Sequence, residues 1–592
     1  MQGFFGRVLV VDAGARTARV QDVPPEVAAG LLGGKGLGTW LLTGHGLVGV
    51  DPLAPENPVV VAAGPVAGTP IPGSCRHAFF TKSPQTGFYT ESYSGGKLAE
   101  KIARTGFDAV VITGASGAPV VLEVSEEGGR FHDAADLWGR DTYDAEEALV
   151  GRFGGSSRAG ACVIGPAGEN GVVLSIVAND RWRCAGRTGA GTVLGAKRIK
   201  GIVFHGDRRR PVADPEGARA FARRIAAEHR DGAVAQTYRN YGTPVMVGIL
   251  NGVGGFPTRY WHRGRSDHRD RISAEALLER CEVRPRACAR CFMACGRLTR
   301  VTDGPYAGLT IEGPEYETIY AFGGLCEIGS IEAIAHLNDL CDRLGLDTIS
   351  AGNLVAFAME ASAVGAIPDR VPYGDVGAAE GLLGQIARRK GLGEVLSRGL
   401  VAAAREWGLE DAAIHVKGLE PAGYDPRVLP GMGLAYATSD RGACHLRATF
   451  YKPELSGQSP PDRMDGKAEL FVDYEDRLTL FDTLILCRFY RDMYGWDELA
   501  EIVRLTTGLD LGQEGAREVA RRVTDQVRWF NLREGLTPAD DDLPRRFFEE
   551  PLPETGAVLS RPDFERLRRE YYRLRGWSPE GRPACEQVRL GG

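Results

Sequence analysis

No run of this 592-residue chain is long and apolar enough to cross a bilayer as one helix. The longest uncharged stretch, residues 57–75, is broken by Pro58, Pro65, Pro70 and Pro72 and by Gly64, Gly68 and Gly73. Basic residues are not in excess. The 71 Lys and Arg stand against 77 Asp and Glu, a formal net charge of −6, so the footprint of a nucleic-acid binder is missing. Cysteine is too sparse for a disulfide scaffold, with 12 in the whole chain. The opening residues, MQGFFGRVLVVDAG, lack the charged start, apolar stretch and cleavage site of a signal peptide, and a cytoplasmic location is the expectation. No array of short repeats is present. With 43% apolar and 25% charged residues, the composition excludes a disordered chain.

What the chain has in excess is glycine, 79 residues gathered in short motifs without a collagen period. Its length exceeds the roughly 250–300 residues of a single core and predicts two or three domains. Residues 1–208 read as β-rich: a hairpin from Arg7–Asp12 to Thr17–Asp22, then short runs at Val59–Ala63, Ala78–Thr81, Ala109–Thr113, Val120–Val124, Val172–Val177 and Gly201–His205, with one helix at Gly96–Thr105. Further on, the period becomes helical. Asp214 is expected to cap Pro215–His229, Ser330 a helix to Leu344 stopped by Gly345, and Ser350 the helix Ala351–Val364. Later helices are expected near Val472–Met493, Trp496–Thr507, Glu514–Asn531 and Arg561–Leu574. The resulting expectation is an α+β architecture: a β-rich base domain (1–208) followed by two mainly helical domains (209–417 and 418–592).

Cys288, Cys291 and Cys295 form a C-x2-C-x3-C cluster. An iron–sulfur cube needs three or four converging thiolates, and this spacing lets one segment supply three. The fourth would come from Cys487, Cys444, Cys341 or Cys326. Two other readings share the pattern. A zinc site would usually add a second C-x2-C pair, which is absent. Offsets of 0, 3 and 7 also describe one face of a helix packing small thiols into a core.

Two acidic segments look alike, Asp342-Arg-Leu-Gly-Leu-Asp347 and Asp482-Thr-Leu-Ile-Leu-Cys487. A helix end that carries a carboxylate and loose carbonyls suits N–H-rich ligands, so the pair suggests pseudo-symmetric binding of two similar molecules. The glycine-rich segment 33–38 is no P-loop, because Lys35 lies between glycines. Arg183, Arg187 and the glycines of 183–191 suit phosphate oxygens, as do the segments Cys75-Arg76-His77 and 91–96. Acid–base candidates are Glu312, Glu315 and Glu317, and His445, one of only 10 histidines.

In chain order these motifs are GGKGLG (33–38), the Arg76 segment, SGG (94–96), RCAGRTGAGTVLGAKRIKGI (183–202), FPTRYW (256–261), CARCFMAC (288–295), EGPEYET (312–318), DRLGLDTISAGN (342–353), RGACHLR (441–447) and DTLILCRF (482–489). The series resembles the tungsten-containing aldehyde:ferredoxin oxidoreductase family over nearly the whole chain. The resemblance implies a β base domain and two helical domains with the cofactor between them: tungsten, or molybdenum, held by two molybdopterins and given no ligand by the protein. It implies that Cys288, Cys291, Cys295 and Cys487 hold a [4Fe–4S] cluster. It places Asp342, Leu346 and Asp347 at one pterin, and Asp482, Leu486 and Arg447 at the other. Arg76, Arg183, Gly186 and the backbone of Tyr93, Ser94, Gly95 and Cys184 would serve the cofactor phosphates, bridged by Mg²⁺.

Departures from the family pattern are Tyr93 and Tyr260 where Asn is common, Ile485 where Gly is frequent, and His336 where some members carry a Glu for an interfacial metal; that extra metal is not expected here. The implied activity is oxidation of a small aldehyde to a carboxylate, with Glu317 first and Glu315 second as the proton-transfer carboxylate and His445 on the substrate oxygen. Electrons would leave singly to ferredoxin or an iron–sulfur partner subunit, from a homodimer or hetero-oligomer. Two rivals are the tungsten subunit of a benzoyl-CoA-type ring reductase and a non-catalytic iron–sulfur or zinc-stapled interaction protein.

Overall fold

In the computed structural model, which describes residues 1–584, the first hairpin joins β1 (Arg7–Asp12) to β2 (Thr17–Asp22). Asp12 Oδ1 accepts from the N–H groups of Gly14 and Ala15, at 2.8 and 3.0 Å, which shapes the turn. The remaining strands of this region are β3 (Val59–Ala63), β4 (His77–Lys82), β5 (Tyr89–Ser94), β6 (Ala109–Thr113), β7 (Val120–Ser125), β8 (Gly128–Asp133), β9 (Gly160–Val163), β10 (Val177–Asn179), β11 (Arg183–Ala185) and β12 (Ile199–Phe204). They build two mixed six-stranded sheets, ordered β2-β1-β6-β3-β4-β5 and β11-β10-β9-β12-β7-β8.

The period of two decides what each face meets. Leu9, Val11, Val59, Val61, Val110 and Ile112 of the first sheet share a core with Val120, Leu122, Ile202 and Phe204 of the second. The alternate residues Val8, Val10, Val60, Ala62 and Val111 turn the other way, onto the helices Gly34–His45, Lys467–Leu484, Trp496–Thr507 and Gly512–Arg533. One side of the β base is thus roofed by the end of the chain, which brings the last acidic motif over the first sheet. Helices dominate after residue 214, around the largest apolar core. Among the described residues no helix is long and apolar enough to cross a membrane.

Caps that are local in sequence form as read. Asp214 and Ser330 accept from Gly217 and Ala333 N–H, and Gly345 ends the second helix in the left-handed region. Four expectations are corrected. Residues 172–176 form no strand, because Ser175 bends to bridge Leu346, and pairing in β10 starts at Val177. The helix expected over 96–105 shrinks to Leu98–Ile102, because Gly96 has φ +99 and Asp180 takes the N–H groups of Lys97 and Leu98. The cap of Thr348–Ala363 is Asp347, not Ser350, whose N–H is the donor at 2.9 Å. The helix expected to reach Met493 stops at Leu484, because Ile485 adopts φ 54, ψ 50. A β-branched residue there carries strain, offset by complete burial of its side chain.

That helix end sits hard against the base. A Cβ on Gly64 would lie 1.8 Å from the carbonyl oxygen of Leu484, and one on Gly34 2.3 Å from that of Asp482. Gly64→Ala is therefore expected to lower stability by about 1–3 kcal/mol, the range for overpacking. Thermal unfolding checks this, and an unchanged midpoint contradicts the close approach.

Candidate active site

The cysteine cluster lies in the connection between two antiparallel strands, β13 (Cys281–Arg286) and β14 (Gly296–Val301), which with β15 (Thr310–Glu312) make a small sheet. Cys288, Cys291 and Cys295 are therefore on a loop, and the helix-face reading is corrected. Arg290 and Ala294 in that loop have φ 55 and 48. Of the four candidates for a fourth thiol, Cys487 lies at this loop. It interacts electrostatically with Cys291 and Cys295, accepts from Arg76 Nη1 at 3.7 Å, and its N–H donates to Gly73 O at 2.9 Å. Cys326 faces Gly352 O and Cys444 accepts from Arg441, while Cys341 is buried within the helix Ile331–Leu344.

A fifth thiol was not anticipated here: buried Cys75 hydrogen-bonds Cys288. That bond, with Arg183, the Gly96 N–H and Arg76 nearby, pushes the Cys288 thiol down to about 5. A thiol lowered in this way favours the thiolate, the form that ligates metal. Among the described residues no three His, Cys, Asp or Glu side chains close on a single metal ion.

The two acidic motifs have the same geometry. Helices Ile331–Leu344 and Lys467–Leu484 both end in a left-handed residue, Gly345 and Ile485. In one, Gly345 N–H bonds Asp342 O at 3.2 Å and Leu346 N–H bonds Cys341 O at 2.8 Å; in the other, Ile485 bonds Asp482 O at 3.2 Å and Leu486 bonds Phe481 O at 2.8 Å. Each end is approached by a glycine that follows a strand, Gly165 after β9 and Gly64 after β3. Gly-Pro recurs after a short apolar strand at 64–65 and 165–166, a second sequence signal of the pseudo-symmetry that the acidic segments suggested.

The two carboxylates differ in charge. Burial pushes Asp342 well above the usual carboxylate range, with Asn338 donating to it at 2.8 Å. Burial also works against the charge of Asp482, but Arg447, Arg488 and Lys35 hold it below that range. Arg447 Nη1 reaches Asp482 at 2.7 Å and also pairs with Glu91. Asp347 lies 3.7 Å from Arg187, whose Nη1 donates to Ala443 O at 2.8 Å. Lys35, Arg187 and Arg488 are site residues that the sequence did not single out for these contacts.

Around these ends stand buried polar atoms without partners: Nε of Arg76 and Arg187, Nε and Nη2 of Arg447, Nη1 of Arg488 and Oε1 of Glu420. A buried unsatisfied group costs about 1–3 kcal/mol, more when charged, so several gathered at one place call for a ligand, ion or water to satisfy them. Guanidinium groups with free N–H donors, next to carboxylates, fit a pterin cofactor with its phosphate and its donor–acceptor edge.

At the segments expected to serve the phosphates, Arg76 Nη2 donates to Tyr93 O at 3.2 Å, Ser94 Oγ to Asn179 at 2.6 Å, and Asn179 Nδ2 to Gly95 O at 3.0 Å. Arg183 pairs with Glu312, Cys184 is exposed, and a Cβ on Gly186 would lie 3.3 Å from Asp347 Oδ1. The Tyr93 hydroxyl donates to Glu91 at 2.7 Å, which leaves its carbonyl turned to Arg76. His336 is engaged by Glu380 at 3.3 Å and stacks on Tyr306.

The three carboxylates of 312–318 separate. Glu315 accepts from Thr243 and has Cys295 and Arg297 as electrostatic neighbours, so it stands on the cysteine side. Glu317 goes to the opposite side. Its Oε2 accepts from Gly423 N–H at 3.0 Å, and Oε1, otherwise unpartnered, lies 3.6 Å from His445 Nε2. The helical turn Tyr316–Thr318 runs into the π-helix Ile319–Leu325, an irregularity frequent at functional sites. Burial pushes Glu317 up to about 7. Burial, with Arg187, Arg441, Arg488 and Arg491 around it, keeps the imidazole of His445 neutral. His445 stacks on Tyr424, which stacks on Tyr451 at 4.2 Å between ring centres.

Residues 8–206 match the family model described as the aldehyde ferredoxin oxidoreductase N-terminal domain, and residues 220–591 match that of its domains 2 and 3. The chain is similar to the tungsten-containing aldehyde ferredoxin oxidoreductase of Pyrococcus furiosus, 35% identical over 99% of this chain and 98% of that one. A second enzyme of that description, from Thermococcus kodakarensis, is 36% identical with the same coverage. The fold is shared with a solved structure, the active-site complex BamBC of benzoyl coenzyme A reductase with 1,5-dienoyl-CoA. Its TM-score is 0.85 and its identity 23%, over 98% of this chain and 96% of that one.

Proposed function

Because the chain belongs to the aldehyde ferredoxin oxidoreductase family, we propose that it oxidises an aldehyde to the carboxylic acid and sends the electrons singly to ferredoxin or an iron–sulfur partner subunit. One observation carries this reading: the unpartnered buried donors of Arg187, Arg447 and Arg488 gather at the two matching helix ends, beside the Glu317–His445 pair.

In this reading Asp342, Leu346 and Asp347 hold one pterin, and Arg447, Asp482 and Leu486 hold the other. Arg76, Arg183, Cys184 and the backbone of Tyr93, Ser94 and Gly95 take the phosphates and Mg²⁺. Cys288, Cys291, Cys295 and Cys487 would hold the [4Fe–4S] cluster, with Arg76 beside the Cys487 thiol and the Tyr490 hydroxyl beside the Cys291 thiol. The bound pterin–tungsten group supplies the two-electron redox chemistry, and the cluster supplies one-electron exit.

The protein's own part is proton handling. Aldehyde and water give carboxylate, two electrons and three protons. Glu317 Oε1 is free to take a proton, and a carboxyl pushed up to about 7 is matched to that task near neutrality. Neutral His445 offers a hydrogen bond to the substrate oxygen without bringing a second charge into the buried site. The stacked Tyr424 and Tyr451 fix its ring.

The test is anaerobic oxidation of aliphatic and aromatic aldehydes with a viologen acceptor. The expected result is two viologens reduced per carboxylate formed. No turnover, with copurification of flavin and iron–sulfur subunits, would favour a ring-reducing subunit instead. Cys487→Ser is expected to lose or alter the cluster's electron paramagnetic resonance signal; an unchanged signal would move the fourth ligand elsewhere.

A further inference from the structure

Two surface concavities meet at Arg290, beside the cysteine loop. The first is edged by Cys288 and Cys291 and by Arg219, Arg223, Arg230 and Arg290. The second continues past Arg290 to Arg104, Arg208 and Arg209. The basic groups have two sources. Arg219, Arg223 and Arg230 rise along one face of the helix Pro215–His229 and its cap, whereas Arg208 and Arg209 come from the segment that leaves the β base.

Carboxylates offset only part of this charge. Arg290 pairs with Glu100 at 2.9 Å, Arg208 with Glu126 at 2.9 Å, and Arg219 with Glu216. Arg104, Arg209, Arg223 and Arg230 are exposed and have no ion-pair partner among the described residues. Arg290 is also pinned, since it donates to Gly68 O and Thr69 O at 3.2 and 3.1 Å. The floor of the first concavity is apolar, with Pro70, Pro72 and the half-buried Phe292. An apolar centre inside a charged rim is the anatomy of a protein interface. The chain as a whole is acidic, with a formal net charge of −6, so an acidic partner is repelled elsewhere and attracted here.

We propose that this arginine-rimmed face docks an acidic electron-carrier protein and seats its redox centre against the half-exposed edge formed by Cys288 and Cys291. The proposal rests on the reading that these thiols hold the cluster. The rim charges steer the encounter and fix its orientation, and the apolar floor supplies the contact that holds it. Electron exit then needs no conformational opening, because the thiols already reach the floor of the docking site.

The test pairs Arg223→Glu/Arg230→Glu with a control of equal charge change, Arg569→Glu/Arg573→Glu, on the helix Arg561–Arg575 away from both concavities. The probe is a purified acidic [4Fe–4S] ferredoxin, with binding to the anaerobically purified protein read by calorimetry at low ionic strength. The first variant is expected to weaken binding by about tenfold or more, with the salt dependence flattened. The control should bind as the parent does, and aldehyde-dependent viologen reduction should be unchanged in both. Equal weakening in the two variants, or no weakening in the first, would overturn the proposal. Calorimetry needs no turnover, so a parent protein that binds ferredoxin but reduces no viologen would count against aldehyde oxidation, not against the docking face.

Discussion

Glu317→Gln is expected to lower kcat by about 10²–10⁴-fold, the usual contribution of a positioned general base. The substitution keeps the shape and an oxygen that can still accept from Gly423 N–H, so fold and cofactor content should be retained. What it removes is the proton-accepting oxygen 3.6 Å from His445. The sign of the pH dependence follows from the raised carboxyl. Below about 7 Glu317 is protonated and cannot accept a proton, and above it the base is free. In the parent, kcat/KM should therefore rise with pH through a step near 7, and the residual activity of the variant should lack that step. Full activity, or an unchanged step, would remove Glu317 from the role and return attention to Glu315, which stands among the cysteine-side charges.

The second large effect is at the other acid. Asp482→Ala leaves Arg488 without its carboxylate partner and Arg447 with Glu91 alone, in a fully buried site. Breaking a buried pair from one side costs about 3–5 kcal/mol. The purified protein should unfold at a clearly lower temperature and carry less tungsten. A companion variant, Asp482→Ala/Arg488→Met, separates the two losses. Removing the stranded guanidinium should recover part of the stability, but not the tungsten, because the pterin contact is still missing. Tungsten restored with stability would mean that the pair is only structural.

Legibility from sequence followed the range of the interactions that decide each feature. The first hairpin and the helices Pro215–His229, Ile331–Leu344 and Trp496–Thr507 were readable because their turns, caps and periods are local. The strands flanking the cysteine loop were not, since β13 is short and contains Pro285, which argues against a strand. The stop at Ile485 was hidden because a β-branched residue is a poor signal for a left-handed conformation. In the candidate site, spacing alone picked out the cysteine segment and the paired acidic segments but left the fourth thiol open, and the resemblance named Cys487. Arg187 and Lys35 gain meaning only from partners hundreds of residues away, Ala443 and Asp440, and Arg488 meets Asp482, close in sequence, only through the turn at Ile485. Gly64 and Gly165 read as turn residues until the helix ends they admit are in place.

The central claim is that the buried basic shell of both helix ends holds a tungsten–pterin cofactor beside an iron–sulfur cluster. Metal content tests it most directly, measured by plasma mass spectrometry on protein purified without oxygen from a host supplied with tungsten and molybdenum. The account predicts about one tungsten, or molybdenum in its place, and about four irons per chain. Iron without either heavy metal, or zinc alone, would contradict it.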